Sequence, residues 1–319
     1  MYTILITQKE AEVAAATRAE IARLAPGARV IITDDRDAIA AALPAVDIVA
    51  GHLSAAQLGQ AVNLRWYQQW GAGADWLARH PELAERDFVL TNASGVHAIN
   101  ISEHIFALLL AFARGLPAAF GAQARGEWQR QGDAVFELAG KTLLLVGVGA
   151  IGQRTAHLAS AFGLRVWGIR RHPGRAAPGV ERMGDMARLH EWLPEADFVV
   201  LTIPLTAETR HVIDEAALRR MKRTAYLINI GRGATVDEAA LARGLREGWL
   251  AGAGLDVFEQ EPLPAGSPLW AMPNVIITAH YSGATPEYQP RAMAIFLENL
   301  RRFVQGEELQ NIVDKRLGY

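Results

Sequence analysis

Gly147-Val148-Gly149-Ala150-Ile151-Gly152 decides how this chain is read. In front of it, Thr142–Val146 is an apolar run with the length of a buried parallel strand. Behind it, from Ala150 to Phe162, the apolar residues Ile151, Leu158 and Phe162 recur at helical spacing. The glycines therefore fall in a strand-to-helix turn, where backbone can approach a pyrophosphate and helix N-terminal N–H groups can point at it. A second strand, Arg165–Ile169, follows the helix and completes a βαβ unit. Partial patterns at Gly71–Gly73 and Gly252–Gly254 show how easily such matches arise among 29 glycines, so the flanking strand and helix carry the argument. Gly147, Gly149, Ala150, Ile151 and Gly152 are the expected phosphate contacts of a dinucleotide.

The residue closing the second strand reports which dinucleotide. An acid there suits the ribose hydroxyls of NAD, whereas an Arg accommodates the 2′-phosphate of NADP. The position holds Arg170, followed by Arg171, and the next acid is Glu181. Guanidinium groups match phosphate in charge and in bidentate geometry. NADP is thus the expected cofactor, with NAD as a weaker alternative.

The chain has 319 residues, enough for about two domains by the usual ~150-residue prior. Its 32 basic and 34 acidic residues nearly cancel, which gives no support to a nucleic-acid or membrane-surface partner. The absence of cysteine excludes disulfides, thiol nucleophiles and Cys-ligated zinc. Met1-Tyr2-Thr3-Ile4-Leu5 does not read as a signal peptide, and Ile105–Ala113 is too short to span a bilayer, so a cytoplasmic protein is expected. His97 and His104 would share a face on one helix, but no further ligand cluster accompanies them, and no metal is expected.

Both halves alternate strand and helix. Strands are predicted at Tyr2–Thr7, Arg29–Thr33, Ile48–Ala50, Arg65–Gln69 and Val89–Thr91, with helices at Glu10–Leu24, Asp37–Leu43 and Ser54–Ala61 between them. Asn100–Gly115 reads as one apolar helix, buried on most sides. The second series has strands at Thr142–Val146, Arg165–Ile169, Phe198–Thr202, Ala225–Asn229, Gly252–Val257 and Val275–Thr278. The expectation is an α/β protein of two doubly wound parallel-sheet domains. Residues 101–284 form the dinucleotide-binding one, and residues 1–100 with 285–319 form a discontinuous substrate domain around a returning helix, Gln289–Gln305.

Three ionisable residues follow strand ends in the second series: Arg232, Glu261 and His280. Ligands of open α/β sheets bind outside the carboxyl ends of the strands, so all three are expected at one crevice. Hydride delivery to a carbonyl carbon requires a proton for the oxygen, and His suits that task near neutral pH. A carboxylate would hold the ring, and an Arg would bind a substrate carboxylate and polarise the carbonyl.

At these residues the chain resembles the D-2-hydroxyacid dehydrogenase family, over nearly its whole length. The resemblance rests on Gly147–Gly152, Thr202-Ile203-Pro204-Leu205-Thr206, Asn229–Gly233, Leu255–Pro262 and Leu269–His280, in family order. It implies a flavodoxin-like substrate domain and a Rossmann domain, with Arg232, Glu261 and His280 as substrate-binding Arg and Glu–His acid pair. It implies further that Pro204, Thr209, Ile230, Gly231 and Gly283 line the cofactor and that Asp256 meets the nicotinamide carboxamide. Gly71-Ala72-Gly73 is similar to the loop whose backbone N–H groups hold the substrate carboxylate, and domain closure is expected to exclude water. A homodimer is implied, with the Asn100–Gly115 helix as candidate interface. Thr278-Ala279-His280 departs from the family's commoner Thr-Pro-His, and Tyr281 and His97 are expected to border the substrate pocket.

The activity this implies is NADPH-dependent reduction of a small 2-oxoacid, such as glyoxylate or hydroxypyruvate, to the D-2-hydroxyacid. The alternatives are a phosphoglycerate- or formate-dehydrogenase-like enzyme and a non-enzymatic dinucleotide sensor or corepressor. The formate branch carries Gln where Glu261 stands.

Overall fold

The computed structural model describes residues 1–130, 132 and 135–318, which fall into two compact units. One comprises Met1–Val96 and Pro286–Tyr319, the other His97–Thr285.

The first unit is built on five parallel strands: β1 (Thr3–Ile6), β2 (Arg29–Ile32), β3 (Ile48–Gly51), β4 (Trp66–Gln69) and β5 (Val89–Thr91). Their order, β2-β1-β3-β4-β5, is the flavodoxin-like one. Alternation along β1 explains the layers. Ile4 and Ile6 pack with Trp66, Phe296 and Leu300 on one face, while Leu5 packs with Val49, Tyr67 and Leu58 on the other. The last helix, Tyr288–Gln305, supplies Phe296 and Leu300 and so belongs to this unit despite its position in the chain.

The second unit holds seven parallel strands: β6 (Thr142–Val146), β7 (Arg165–Ile169), β8 (Arg182–Gly184), β9 (Phe198–Leu201), β10 (Tyr226–Asn229), β11 (Gly252–Leu255) and β12 (Val275–Ile277). They run β12-β11-β10-β9-β6-β7-β8, the doubly wound Rossmann order with an added edge strand. β6 is buried at every residue, as a central parallel strand must be. Leu143 and Leu145 face a cluster with Ile105, Leu109 and Phe112 of the Ala98–Ala113 helix. Leu144 and Val146 face Leu218 and Leu241 on the opposite side.

Two expectations change and one strand is added. The Glu10–Leu24 helix is a short 3-10 turn, Glu10–Glu12, followed by Ala15–Leu24. The apolar helix ends at Ala113, because Gly115 takes a left-handed conformation (φ 63°) and Pro117 then opens a second helix, Leu116–Ala124. Strand β8 has no sequence signal, being only Arg-Met-Gly on the sheet edge. Among the described residues no single helix is long and apolar enough to cross a membrane. The two helices on either side of Gly115 reach that length only together, across a 71° bend.

Candidate active site

β10, β11 and β12 are hydrogen-bonded neighbours, so the loops leaving their carboxyl ends lie side by side. Arg232 leaves β10, Asp256 and Glu261 follow β11, and His280 follows β12. The structure brings Glu261 and His280 together: Nδ1 of His280 lies 2.6 Å from Oε2 of Glu261. The other carboxylate oxygen of Glu261 accepts the Phe258 N–H at 3.0 Å, which fixes the acid before it meets the ring. Both side chains are partly exposed, at 50% and 35%, so the ring remains open to a reactant.

The two loops are also held to each other at Gly233. A Cβ there would sit 1.8 Å from the Phe258 carbonyl carbon, so only glycine permits the Arg232 turn to lie against the segment that leads from β11 to Glu261. Asn229, buried at the end of β10, ties that turn: its amide donates to the Arg232 carbonyl at 3.0 Å and its oxygen accepts the Gly231 N–H at 3.1 Å. Arg232 Nη1 donates to the Gly231 carbonyl at 2.8 Å.

His280 has a left-handed backbone (φ 52°), uncommon for a non-glycine residue. Asp256 holds it there. The Asp256 carbonyl accepts the His280 N–H at 2.8 Å, and its carboxylate accepts the Tyr281 N–H at 3.1 Å and the Ser282 N–H at 3.1 Å. The Thr278 hydroxyl donates to Oδ1 at 2.6 Å. Burial alone would push this carboxyl up, but the hydrogen bonds from Ser282 and Thr278 together hold it below its ordinary value. Asp256 is fully buried, and both oxygens serve the turn that carries His280. A nicotinamide carboxamide would have to share an oxygen that already accepts from the chain.

Sequence reasoning missed the next layer. Nε2 of His104 lies 3.1 Å from the Thr278 hydroxyl, and its ring meets Tyr281 edge-on at 5.7 Å. Burial holds that imidazole below the ordinary histidine range, although Asp256 opposes the shift. His97 packs against Gly283, where an added Cβ would come within 3.3 Å of its ring. Tyr281 is half exposed, at 53%.

The glycine turn has the form a pyrophosphate needs. Gly147 is left-handed (φ 109°), and a Cβ on Gly152 would lie 2.2 Å from the Gly147 carbonyl oxygen. A Cβ on Gly149 would meet nothing within 4 Å, so the space beside it is open to a ligand. The Ala150–Ala161 helix begins at Gly149 with no side-chain cap, which leaves its first N–H groups for an anion. Pro204 and Thr209 belong to a loop closed on itself, with the Thr209 hydroxyl donating to the Pro204 carbonyl at 2.7 Å. Ile230 and Gly231 are buried beneath it, and a Cβ on Gly231 would lie 2.8 Å from the Ile203 carbonyl oxygen. At the ribose end, Nε and Nη2 of Arg170 are buried without a hydrogen-bond partner among the described residues. Arg171 instead donates to Glu208 at 2.8 Å on the surface. Unpartnered guanidinium N–H groups beside β7 suit the binding of a phosphate.

In the first unit, the Gly71 N–H donates to the Tyr288 hydroxyl at 2.6 Å. The Ala72 and Gly73 carbonyls accept from Asn92 and Gln69. Trp66 is core, stacked on Phe296 and Phe303, and Trp70 is buried with it.

The profile described as D-isomer specific 2-hydroxyacid dehydrogenase, NAD binding domain, matches residues 106–282. The chain belongs to that family. It is 38% identical over 299 residues to a glyoxylate reductase of Korarchaeum cryptofilum, covering 92% of this chain and 87% of the relative. Two solved structures superpose with a TM-score of 0.84 each. One is a D-isomer specific 2-hydroxyacid dehydrogenase from Xanthobacter autotrophicus in complex with NADPH and MES, 30% identical over 100% of this chain and 99% of that one. The other is an NADPH-dependent glyoxylate/hydroxypyruvate reductase from Sinorhizobium meliloti in complex with NADP and sulfate, 28% identical with full coverage of both. The protein is thus an NAD(P)-dependent oxidoreductase of the 2-hydroxyacid dehydrogenase type, with two parallel-sheet α/β domains.

Proposed function

We propose that this enzyme reduces a small 2-oxoacid, of the glyoxylate or hydroxypyruvate kind, to the D-2-hydroxyacid with NADPH. The observation that carries the reading is the 2.6 Å contact between His280 Nδ1 and Glu261, on the two strand ends that follow that of Arg232 across the sheet. The bound nicotinamide supplies the hydride. The chain supplies the rest. Glu261 accepts the hydrogen bond of the Nδ1–H and so fixes the imidazole with Nε2 directed at the reactant. The protonated ring gives its Nε2 proton to the substrate oxygen as charge develops there, and the Glu261 carboxylate stabilises the imidazolium beforehand. Arg232 binds the substrate carboxylate through a planar, always-charged fork and polarises the adjacent carbonyl. The glycine turn and the first N–H groups of the Ala150–Ala161 helix hold the pyrophosphate, and Arg170 holds the 2′-phosphate.

The names of the Korarchaeum and Sinorhizobium relatives support the substrate class, and the NADP bound to the latter supports the cofactor. The test is oxidation of NADPH, followed by absorbance, against a panel of 2-oxoacids of increasing side-chain size. Turnover of glyoxylate or hydroxypyruvate with D-product supports the reading. No turnover with any 2-oxoacid and either dinucleotide refutes it.

A homodimer is proposed as well. Its candidate interface extends from the Ala98–Ala113 helix, half of whose residues are buried in its own unit, to the Leu116–Ala124 helix and the segment after it. There Phe120 and Trp128 are exposed at 62% and 94%. Phe120→Asp should yield a monomer in sedimentation experiments.

A further inference from the structure

The Ala98–Ala113 helix presents two polar side chains, Asn100 and His104, one turn apart, to the turn that carries the catalytic acid. Asn100 donates to the Ser282 carbonyl at 3.0 Å, and His104 meets the Thr278 hydroxyl at 3.1 Å. A hydroxyl has one proton, and that of Thr278 is committed to Oδ1 of Asp256 at 2.6 Å. Toward His104 it can therefore only accept, which assigns the proton to Nε2 of His104. A directed chain results: His104 Nε2–H to the Thr278 oxygen, Thr278 O–H to the Asp256 carboxylate. That same carboxylate accepts the N–H groups of Tyr281 and Ser282 and so holds His280 in its left-handed conformation. The His104 ring also buttresses Tyr281 from the side.

We propose that His104 is a positioning residue for His280, acting through Thr278 and Asp256, with no contact of its own to substrate or cofactor. The arrangement makes physical sense. A fully buried carboxylate must keep its donors, and a left-handed non-glycine turn persists only when its surroundings over-determine it. Without the His104 donor the Thr278 hydroxyl is free to rotate away from Asp256. The turn then relaxes, and Nδ1 of His280 no longer sits squarely on Glu261. Misplacement by about 1 Å is enough to cost roughly a hundredfold in rate.

The proposal rests on His280 being the acid, so its test carries a readout independent of turnover. Four variants are compared with wild type: His104→Phe, which keeps a ring against Tyr281 but removes the donor; His104→Gln, which restores an N–H at similar reach; Thr278→Val; and Thr278→Ser. The first measurement is the imidazole ¹⁵N spectrum of the ligand-free protein. The wild type should show His280 fixed as the Nδ1–H tautomer, retained in His104→Gln and Thr278→Ser and lost to averaging in His104→Phe and Thr278→Val. The second is steady-state kinetics. His104→Phe should lower kcat roughly tenfold to a hundredfold while leaving the dinucleotide KM within about threefold. His104→Gln should recover most of the loss, and the His104→Phe/Thr278→Val double variant should be no worse than either single one, since both break one chain. An unchanged His280 tautomer in both His104→Phe and Thr278→Val overturns the proposal. So does a loss confined to dinucleotide KM, or a His104→Gln variant as impaired as His104→Phe. If His104→Phe does not fold, the Thr278→Ser and Thr278→Val pair decides alone, by rescue in the first and loss in the second. A wild type with no reductase activity refutes the proposed function, while the spectra still decide the role of His104.

Discussion

Replacing Arg170 tests cofactor choice most directly. Its Nε and Nη2 are buried and lack partners among the described residues, beside a turn already shaped for pyrophosphate. A 2′-phosphate would satisfy both with charge-assisted bonds, each worth about 1.5–3 kcal/mol. Arg171 is left out of the sum, because its guanidinium already pairs with Glu208. At the lower bound, two bonds halved for solvent screening leave about 1.5 kcal/mol, or roughly tenfold. Two bonds near 2 kcal/mol each give about 4 kcal/mol, or roughly a thousandfold. Wild-type kcat/KM should thus favour NADPH over NADH by about 10- to 1000-fold, with the gap narrowing as salt is raised. Arg170→Ala should collapse the ratio almost entirely through NADPH, because NADH never used the contacts. Arg170→Asp should reverse it, since a carboxylate repels phosphate and accepts from the ribose hydroxyls. The assay is steady-state kinetics with both dinucleotides at fixed ionic strength. A wild type that prefers NADH, or an Arg170→Ala variant with an unchanged ratio, refutes the reasoning.

Four further outcomes are expected. His280→Ala should lower kcat by ~10²–10⁴-fold with dinucleotide affinity, read by fluorescence titration, little changed. Glu261→Gln removes the carboxylate that holds Nδ1 of His280 at 2.6 Å, so kcat should fall roughly a hundredfold with dinucleotide KM little changed; an unchanged kcat would show the two side chains uncoupled. Gly233→Ala puts a methyl 1.8 Å from the Phe258 carbonyl carbon, forcing two loops apart. Overpacking of this kind costs about 1–3 kcal/mol, so melting temperature and kcat should fall together. Asp256 is held below its ordinary value, so its ionised form stabilises the fold above the unfolded carboxylate range. That contribution is lost as pH falls through the lower folded value, and an acid titration of Asp256→Asn should lack this component.

Which parts of this molecule the sequence discloses follows from the range of the interactions involved. Central strands such as β6 and β9 are buried at every residue and, Thr142 apart, apolar because helices cover both faces, and that pattern is local. Strand β8 is three residues on the sheet edge and has no such pattern. That Arg232, Glu261 and His280 follow neighbouring strand ends is legible because a rule about strand ends converts position along the chain into position in space. The partners of the acid turn obey no such rule. His104 meets Thr278 across 174 residues, and Tyr288 meets Gly71 across 217, so neither contact leaves a period or a spacing behind. One signal was nonetheless available. In an apolar helix that lies in a core, a polar side chain on the inward face is costly unless something there receives it. Asn100 and His104 recur at helical spacing, with Ile101 and Ile105 beside them buried and Glu103 turned to solvent. Two polar groups on one inward-facing line require acceptors on whatever packs against it, and the acceptors are the Ser282 carbonyl and the Thr278 hydroxyl, on either side of His280.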